Sequence, residues 1–267
     1  RRIMDAWIFQ RGYPLLSVEQ VGPGRLTLHQ QRFGFTPLEG GKNTLWPVPV
    51  SLRYSTNGQV SERRELLDAA SVTLDLGAAL AWVVVNAGGH GFYRVRYSPE
   101  ILRSLRPIMM QQLAPIERYG LVDDTWASVL AGTTSASTFL DFAEGFDAET
   151  DLDVWMVLAS CLGYLDRLLD GAARRRYQER LRQLYRPALD RLGWEPGAGE
   201  TSRALELRGL LLRALAVSAL DEEAIAYSRT VHERYLHESS SVEPNIAAAV
   251  AAAVAAVGAS ADYAVFL

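Results

Sequence analysis

The sequence predicts a multi-domain β + α protein, an antiparallel β-sandwich followed by an all-α superhelical (HEAT/armadillo-like) domain. Three observations carry this expectation. Up to residue 97, short segments rich in β-branched and aromatic residues are separated by Gly, Pro and Asn. Beyond residue 97 the apolar period becomes helical and no strand-like segment returns. With 267 residues, 49% hydrophobic and 22% charged, the chain has enough apolar material for two cores.

In chain order, the expected strands are "GRLTLHQQRF" (24–33), "LWPVPVSLRY" (45–54), "SVTLDL" (71–76), "AWVVVNA" (81–87) and "GFYRVRY" (91–97). In the last of these, Phe92, Arg94 and Arg96 fall on one face and Tyr93, Val95 and Tyr97 on the other, the period of a half-buried strand. Gly88, Gly89 and Gly91 supply the turn before it, with His90 as an exposed turn residue. A phosphate-cradling loop would instead need a helix after its glycines. Ser98-Pro99-Glu100 reads as a helix start, with a capping hydroxyl, proline at the first helical position and an early carboxylate. Helices are then expected at 99–113, 123–131, 135–144, 151–169, 173–192, 201–217, 221–236 and 244–257. The alanine-rich run 246–259 is too short to span a bilayer, which takes ~20 apolar residues, and reads as a closely packed buried helix. The domain reading is 1–12 as the end of a preceding helix and linker, 13–97 as the β-sandwich, and 98–267 as an incomplete helical domain. "RRIMDAWIFQ" and "DYAVFL" both read as interrupted segments, and the opening carries no signal-peptide pattern, so a cytoplasmic protein or a piece of one is expected.

No side chains line up as a catalytic or metal-ligating set. In "HERYLH", His232 and His237 are five residues apart, about 140° around a helix, so they cannot share a metal ion, and a solvated helix face is expected. Asp123 and Asp124 are neighbours that should point apart, with Asp124 as the N-cap of a helix 125–131 that Gly132 ends. Asp147, Glu149, Asp151 and Asp153 lack the glycine and closing glutamate of a calcium loop and suit a helix N-terminus. "ARRRYQERLRQLYR" reads as a charged outer helix face. Cys161, the only cysteine, sits at helical spacing with leucines and reads as a buried, inert thiol. His29 and His90 have no acidic neighbour of obvious partnership. The net charge of −4 leaves no footprint for nucleic acid. Lys42 is the sole lysine among 27 basic residues, the composition of a GC-rich genome.

Several stretches resemble the C-terminal region of gluzincin zinc aminopeptidases of the aminopeptidase N, puromycin-sensitive and tricorn-interacting-factor type. "MDAWIFQRGYPLLSV", with Trp7 and Gly12-Tyr13-Pro14, is similar to the junction between catalytic domain and β-sandwich. Gln31-Arg32-Phe33, then Trp46, Pro47 and Pro49, resemble two strands of that sandwich, and "NAGGHGFYRVRY" its closing strand. "ERYGLVDDTWASVLAG", "ETDLDVW" (Glu149, Trp155), "LGWEP" (Leu192–Glu195) with Leu207-Arg208, and "VEPNIAAAV" are similar to motifs of the helical domain that follows. In the last, alanines replace the family's arginine-valine.

The resemblance implies a non-catalytic C-terminal part of a bacterial zinc aminopeptidase, which walls the peptide chamber and limits access to it. The zinc ligands H-E-x-x-H plus a distant glutamate, and the Gly-x-Met-Glu-Asn segment, would lie upstream. No catalytic, cofactor-binding or metal residue is therefore expected here, and zinc belongs to the parent enzyme. The implied partners are a peptide substrate and the chain's own upstream catalytic domain, with neither nucleic acid nor membrane. Arg94 occupies the position of a family arginine, for which a structural hydrogen-bonding role is expected. A self-contained helical scaffold that binds a protein partner is the main alternative, and a carbohydrate-binding sandwich a third.

Overall fold

The computed structural model describes residues 2–36 and 44–258. Lys42 and the "DYAVFL" end lie outside them. Among the described residues one helix leads, seven strands follow and the main run of helices comes after them, and the chain divides into two compact units, 1–145 and 146–267.

The first unit opens with helix α1 (Arg2–Phe9) and then carries two sheets. One has the order β5-β2-β1-β7, from strands Ser71–Asp75, Arg25–Arg32, Pro14–Gly22 and Arg94–Tyr97. The other has the order β4-β3-β6, from Gln59–Leu67, Val48–Thr56 and Leu80–Val85. Leu16, Val18, Leu26 and Leu28 of the first sheet are fully buried, as are Val50, Leu52, Val83 and Val85 of the second. The Tyr97 hydroxyl links the sheets: it accepts from the Val85 N–H at 2.8 Å and donates to the Val85 carbonyl at 3.0 Å.

The sandwich is not purely antiparallel. β7 runs parallel to β1, with Leu15 opposite Arg94 and Ser17 opposite Arg96. A two-residue hairpin would force antiparallel pairing, but here the chain leaves β6 in one sheet and crosses to β7 in the other, so no such constraint applies. Two strands are additions to the sequence reading. β1 is buried over Pro14–Val18 without alternation, because its second face is also covered: Leu15 and Phe33 cluster with Ala127 of a later helix. β4 is polar because it is an edge strand, bonded to β3 alone. Its signal was the turn Asn57-Gly58, both at positive φ (50° and 76°).

Helices α2 (Pro99–Leu105), α3 (Met109–Gln112), α4 (Pro115–Leu130) and α5 (Ala136–Ala143) complete the first unit. Ser98 caps α2 as expected, its hydroxyl accepting from the Ile101 N–H. The single helix expected over 99–113 is broken near Pro107, whose ring and missing N–H disrupt the helical ladder. A second correction concerns Asp124. It is no N-cap but sits deep inside α4, which begins nine residues earlier at Pro115. Gly132, at φ 68°, does follow the end of that helix.

The second unit holds α6 (Leu152–Asp166), α7 (Gly171–Leu192), α8 (Ser202–Arg213, running into a π turn), α9 (Glu222–His237) and α10 (Pro244–Val257). α10 packs on both α8 and α9, and α8 also meets α6 and α7. Small residues permit this approach: a Cβ on Gly209 would lie 2.8 Å from the Asn245 carbonyl oxygen, and Ala249 and Ala253 of α10 are buried. At the centre of the unit is Arg208, with a fully buried side chain. It bonds Glu200 through two contacts of 2.6 Å and caps the Leu192 and Gly193 carbonyls at the end of α7.

Arg208→Ala should therefore destabilise the second unit by about 3 kcal/mol in urea denaturation. This is the low end for an opened buried pair, because the Glu200 side chain keeps 23% exposure. A loss below ~0.5 kcal/mol would contradict the assigned role.

Candidate functional site

The glycine-rich stretch and α4 together build the most polar interior of the first unit. Asn86 adopts left-handed backbone geometry (φ 66°) and closes the loop with its side chain. Its Oδ1 accepts from the Gly91 N–H at 2.7 Å and its Nδ2 donates to the Gly91 carbonyl at 3.1 Å. Gly91 must be glycine, since a Cβ there would lie 2.1 Å from the Tyr93 ring. The Gly88 N–H donates to Glu117 Oε1 at 2.9 Å. Glu117, only 4% exposed, also accepts from Arg53 at 2.6 Å and from the Ala114 N–H at 2.8 Å. The loop thus holds an anion, and that anion is the protein's own carboxylate. His90 is exposed.

Three residues on, β7 delivers Arg94 to the same helix. Its Nη1 donates to Asp123 at 2.8 Å and to Asp124 at 3.0 Å, and its guanidinium lies 5.3 Å from the Phe33 ring centre. The carboxylates expected to point apart are bridged by one cation. Asp124 also accepts from the Val95 N–H at 3.0 Å. Burial is the largest single influence and works against the Arg94 charge, but hydrogen bonds to Asp123 and Tyr13 and the charges of Asp123 and Asp124 together outweigh it, so the guanidinium is held more firmly protonated than usual. For Asp124 burial dominates the opposing Val95 and Arg94 contacts and pushes its carboxyl up to about 7. Burial likewise raises the Tyr93 and Tyr97 hydroxyls. Beside this cluster lies a cleft of about 330 Å³ lined by Tyr13, Phe92, Ile116 and Tyr119.

The strand motifs converge on the same place. Tyr13 stacks on Phe33 with ring centres 5.4 Å apart, and the Phe33 N–H donates to the Tyr13 carbonyl. The Arg32 guanidinium lies over Gly12. Trp7 touches Trp46 and Phe92, and its Nε1 donates to the Pro47 carbonyl. Gln31 is exposed; the working glutamine is Gln30, which accepts from the Trp46 N–H and donates to the Ala69 carbonyl. Pro49 is exposed on β3.

The remaining sequence candidates are structural. His232 is buried and His237 exposed, so the stretch is not the fully solvated face expected: five residues turn one imidazole inward. Asp151 caps α6 by accepting from the Asp153 and Val154 N–H groups, and buried Glu149 accepts from those of Thr150 and Asp151. On α7, Arg174 pairs with Asp166, and Arg186 with Asp221 and Glu223. Cys161 is buried, and His29 is exposed on β2. A groove of about 340 Å³ in the second unit has Leu152, Leu207 and Leu211 in its walls, but its rim arginines are engaged: Arg191 with the Asp147 carbonyl and Arg203 with Asp153. Among the described residues no group of three or more His, Cys, Asp or Glu is placed to hold a metal ion. No described helix is long and apolar enough to cross a membrane.

Two predictions follow from the Arg94 geometry. Arg94→Ala should cost the first unit about 2–4 kcal/mol in urea denaturation, and His90→Ala less than ~0.5 kcal/mol; a reversed order would refute the assignment. Asp124 titrates near 4 when unfolded and near 7 when folded. Between those values the folded state keeps a proton that the unfolded state has lost, so this residue's contribution to stability falls as pH rises from about 4 to about 7, then levels off. Measured against Asp124→Asn, wild type should be relatively more stable at pH 4–5 than at pH 8; a flat difference would contradict the burial effect.

Comparison with known proteins matches the ERAP1-like C-terminal domain family over residues 82–267, from β6 through the whole helical run. Among curated relatives, aminopeptidase M1 of Arabidopsis thaliana is 31% identical over 231 residues, covering 78% of this chain and 25% of the relative. Puromycin-sensitive aminopeptidase of Caenorhabditis elegans is 29% identical, covering 78% of this chain and 23% of the relative. Tricorn protease-interacting factor F2 of Thermoplasma volcanium is 29% identical, covering 78% and 24%. The chain spans about a quarter of the length of these relatives. With 186 of its 267 residues inside the family match (82 to 267 inclusive), the chain belongs to the ERAP1-like C-terminal domain family and corresponds to the C-terminal region of aminopeptidases of this type.

Proposed function

We propose that this chain is the non-catalytic C-terminal part of a zinc aminopeptidase that releases N-terminal residues from peptides, and that it walls the peptide chamber and limits access to it. The observation that carries the reading is the family match together with the internal use of the polar clusters around Glu117, Arg94 and Arg208 among the described residues. Glu117, Arg94, Asp124 and Arg208 all bind other parts of the chain, leaving the molecule to act through its surfaces and rigidity. The zinc and its ligands would belong to an upstream segment of the parent polypeptide. We assign a β-sandwich module to 13–97 and the helices from 98 onward to a superhelical, HEAT- or armadillo-like domain; the packing of α6 on α7, α7 on α8 and α8 on α10 supports it. A cytoplasmic setting suits a chain whose single cysteine cannot form an internal disulfide.

The 1–267 chain should hold no stoichiometric zinc by atomic absorption and should not cleave an aminoacyl-anilide. The complete reading frame should encode an H-E-x-x-H segment ahead of it, and its product should do both. Zinc-dependent cleavage by 1–267 alone would overturn the reading, and a start codon near Arg1 would favour a self-contained scaffold.

A further inference from the structure

Among the described residues β4 is the longest strand at the edge of a sheet. It has nine residues, against five in β5, six in β6 and four in β7, the other edge strands. Its register with β3 runs from Gln59 opposite Thr56 to Leu67 opposite Val48 without a bulge. The tight turn sets the Gln59 backbone toward Thr56, and bonding groups alternate along an antiparallel strand. Ser61, Arg63 and Glu65 therefore turn their N–H and C=O groups to β3, while Val60, Glu62, Arg64 and Leu66 turn theirs to the open edge. The side chains of those four residues also share one face. They are all exposed, Val60 at 47% and Leu66 at 45%, whereas Arg63 and Glu65 lie on the face of the buried Leu52 and Val50. A long, unbulged edge with apolar residues at both ends is a template for another strand.

We propose that the strand pairing with this edge is β4 of a second copy of the chain, so that a two-fold homodimer joins the two three-stranded sheets into one. The inference is independent of the function proposed above and rests on charge complementarity. Along the exposed face β4 reads apolar, acidic, basic, apolar, an order that is its own complement when reversed. With the two-fold axis at Arg63, Glu62 falls opposite Arg64 of the second copy, and Val60 opposite its Leu66, each pair occurring twice. Centring the axis on Glu62 or on Arg64 instead sets like charges opposite each other, so one register is selected. In that register the four residues whose backbone groups face the open edge meet one another, and each facing pair exchanges two main-chain hydrogen bonds. Arg63, on the axis, keeps its own balance by donating to Glu65 at 2.8 Å and to the Asp75 carbonyl at 3.1 Å. A single strand edge is a small interface, so the dimer dissociates on dilution.

The test is sedimentation velocity on the 1–267 chain from about 1 μM to about 1 mM, with hydrogen exchange by mass spectrometry at both ends of that range. Wild type should pass from monomer to dimer, and the amides of 59–67 should exchange severalfold more slowly in the dimer while those of β5 do not change. Glu62→Arg and Arg64→Glu, each at an exposed position, should keep the wild-type melting temperature and weaken the dimer by about tenfold or more, since every charge pair becomes repulsive. An equimolar mixture of the two variants should dimerise again, as should the double variant, because both restore opposite charges across the axis. A wild type that stays monomeric with 59–67 unprotected overturns the proposal and leaves the edge to a strand from another protein. A dimer that survives both single changes, or a mixture that stays monomeric, overturns it too, by placing the contact elsewhere. Should a single variant fail to fold, the concentration dependence of exchange at 59–67 in wild type decides alone.

Discussion

Arg94 lies between two carboxylates of α4 and the ring of Phe33, and much of the first unit depends on that placement. β7 has only four residues, Arg94–Tyr97, and one strand neighbour, so its ladder alone is a weak tether. The ion pairs to Asp123 and Asp124 fix its start to α4, the Val95 N–H to Asp124 fixes the next residue, and Tyr97 fixes its end to the opposite sheet. A lysine would not be equivalent: Nη1 alone bonds both carboxylates, but a point-like ammonium would lose the planar guanidinium that lies over the Phe33 ring. The cost is a buried carboxylate whose proton affinity rises, and the structure tolerates it because Arg94 and Val95 supply the compensating donors.

The second unit solves a related problem with the same residue type. The end of α7 leaves carbonyls without helical partners, and Gly193 turns the chain away at φ 86°. Arg208 reaches these carbonyls from α8 with its charge balanced by Glu200, so a fully buried guanidinium becomes a joint between helices. Trp194 adds to it, with the Arg186 guanidinium over its ring and Tyr227 bonded to its carbonyl. In both units, the residues most suggestive of chemistry are fastened to backbone groups or carboxylates of the same chain.

The change of period at residue 97 was legible, as were the cap at Ser98 and the helix starts at Asp151 and Pro244, because each rests on local backbone chemistry. β1 was not legible, since burial on both faces removes its alternation, and β4 was hidden by the polarity of an edge strand. The role of Asp124 was misread for a reason of range. An aspartate before a helical run is locally indistinguishable from a cap, and only the approach of β7 from 29 residues away makes it a buried partner. Glu117 had a local signal, its place two residues after Pro115 at a helix start, but its bonds to Gly88 and Arg53 come from distant strands. Gln30 and Gln31 could be separated only once the strand's two faces were assigned.

The glycine-rich loop brings these strands of argument together. A backbone N–H presented by a tight glycine turn is an anion site by construction, and in a nucleotide-binding protein it would face open solvent. Here Glu117 fills it from within, and truncating the side chain at 117 would leave the Gly88 N–H, the Ala114 N–H and Arg53 without their shared acceptor. The same closure that removes the loop from ligand chemistry sets Phe92 rigidly outward, because Asn86 clamps the backbone one residue before it. A loop built this way spends the Asn86 side chain and the Gly88 N–H on rigidity, while His90 and the Phe92 ring stay exposed. The Gly88 N–H that such a turn would offer to a ligand is thereby committed to the fold.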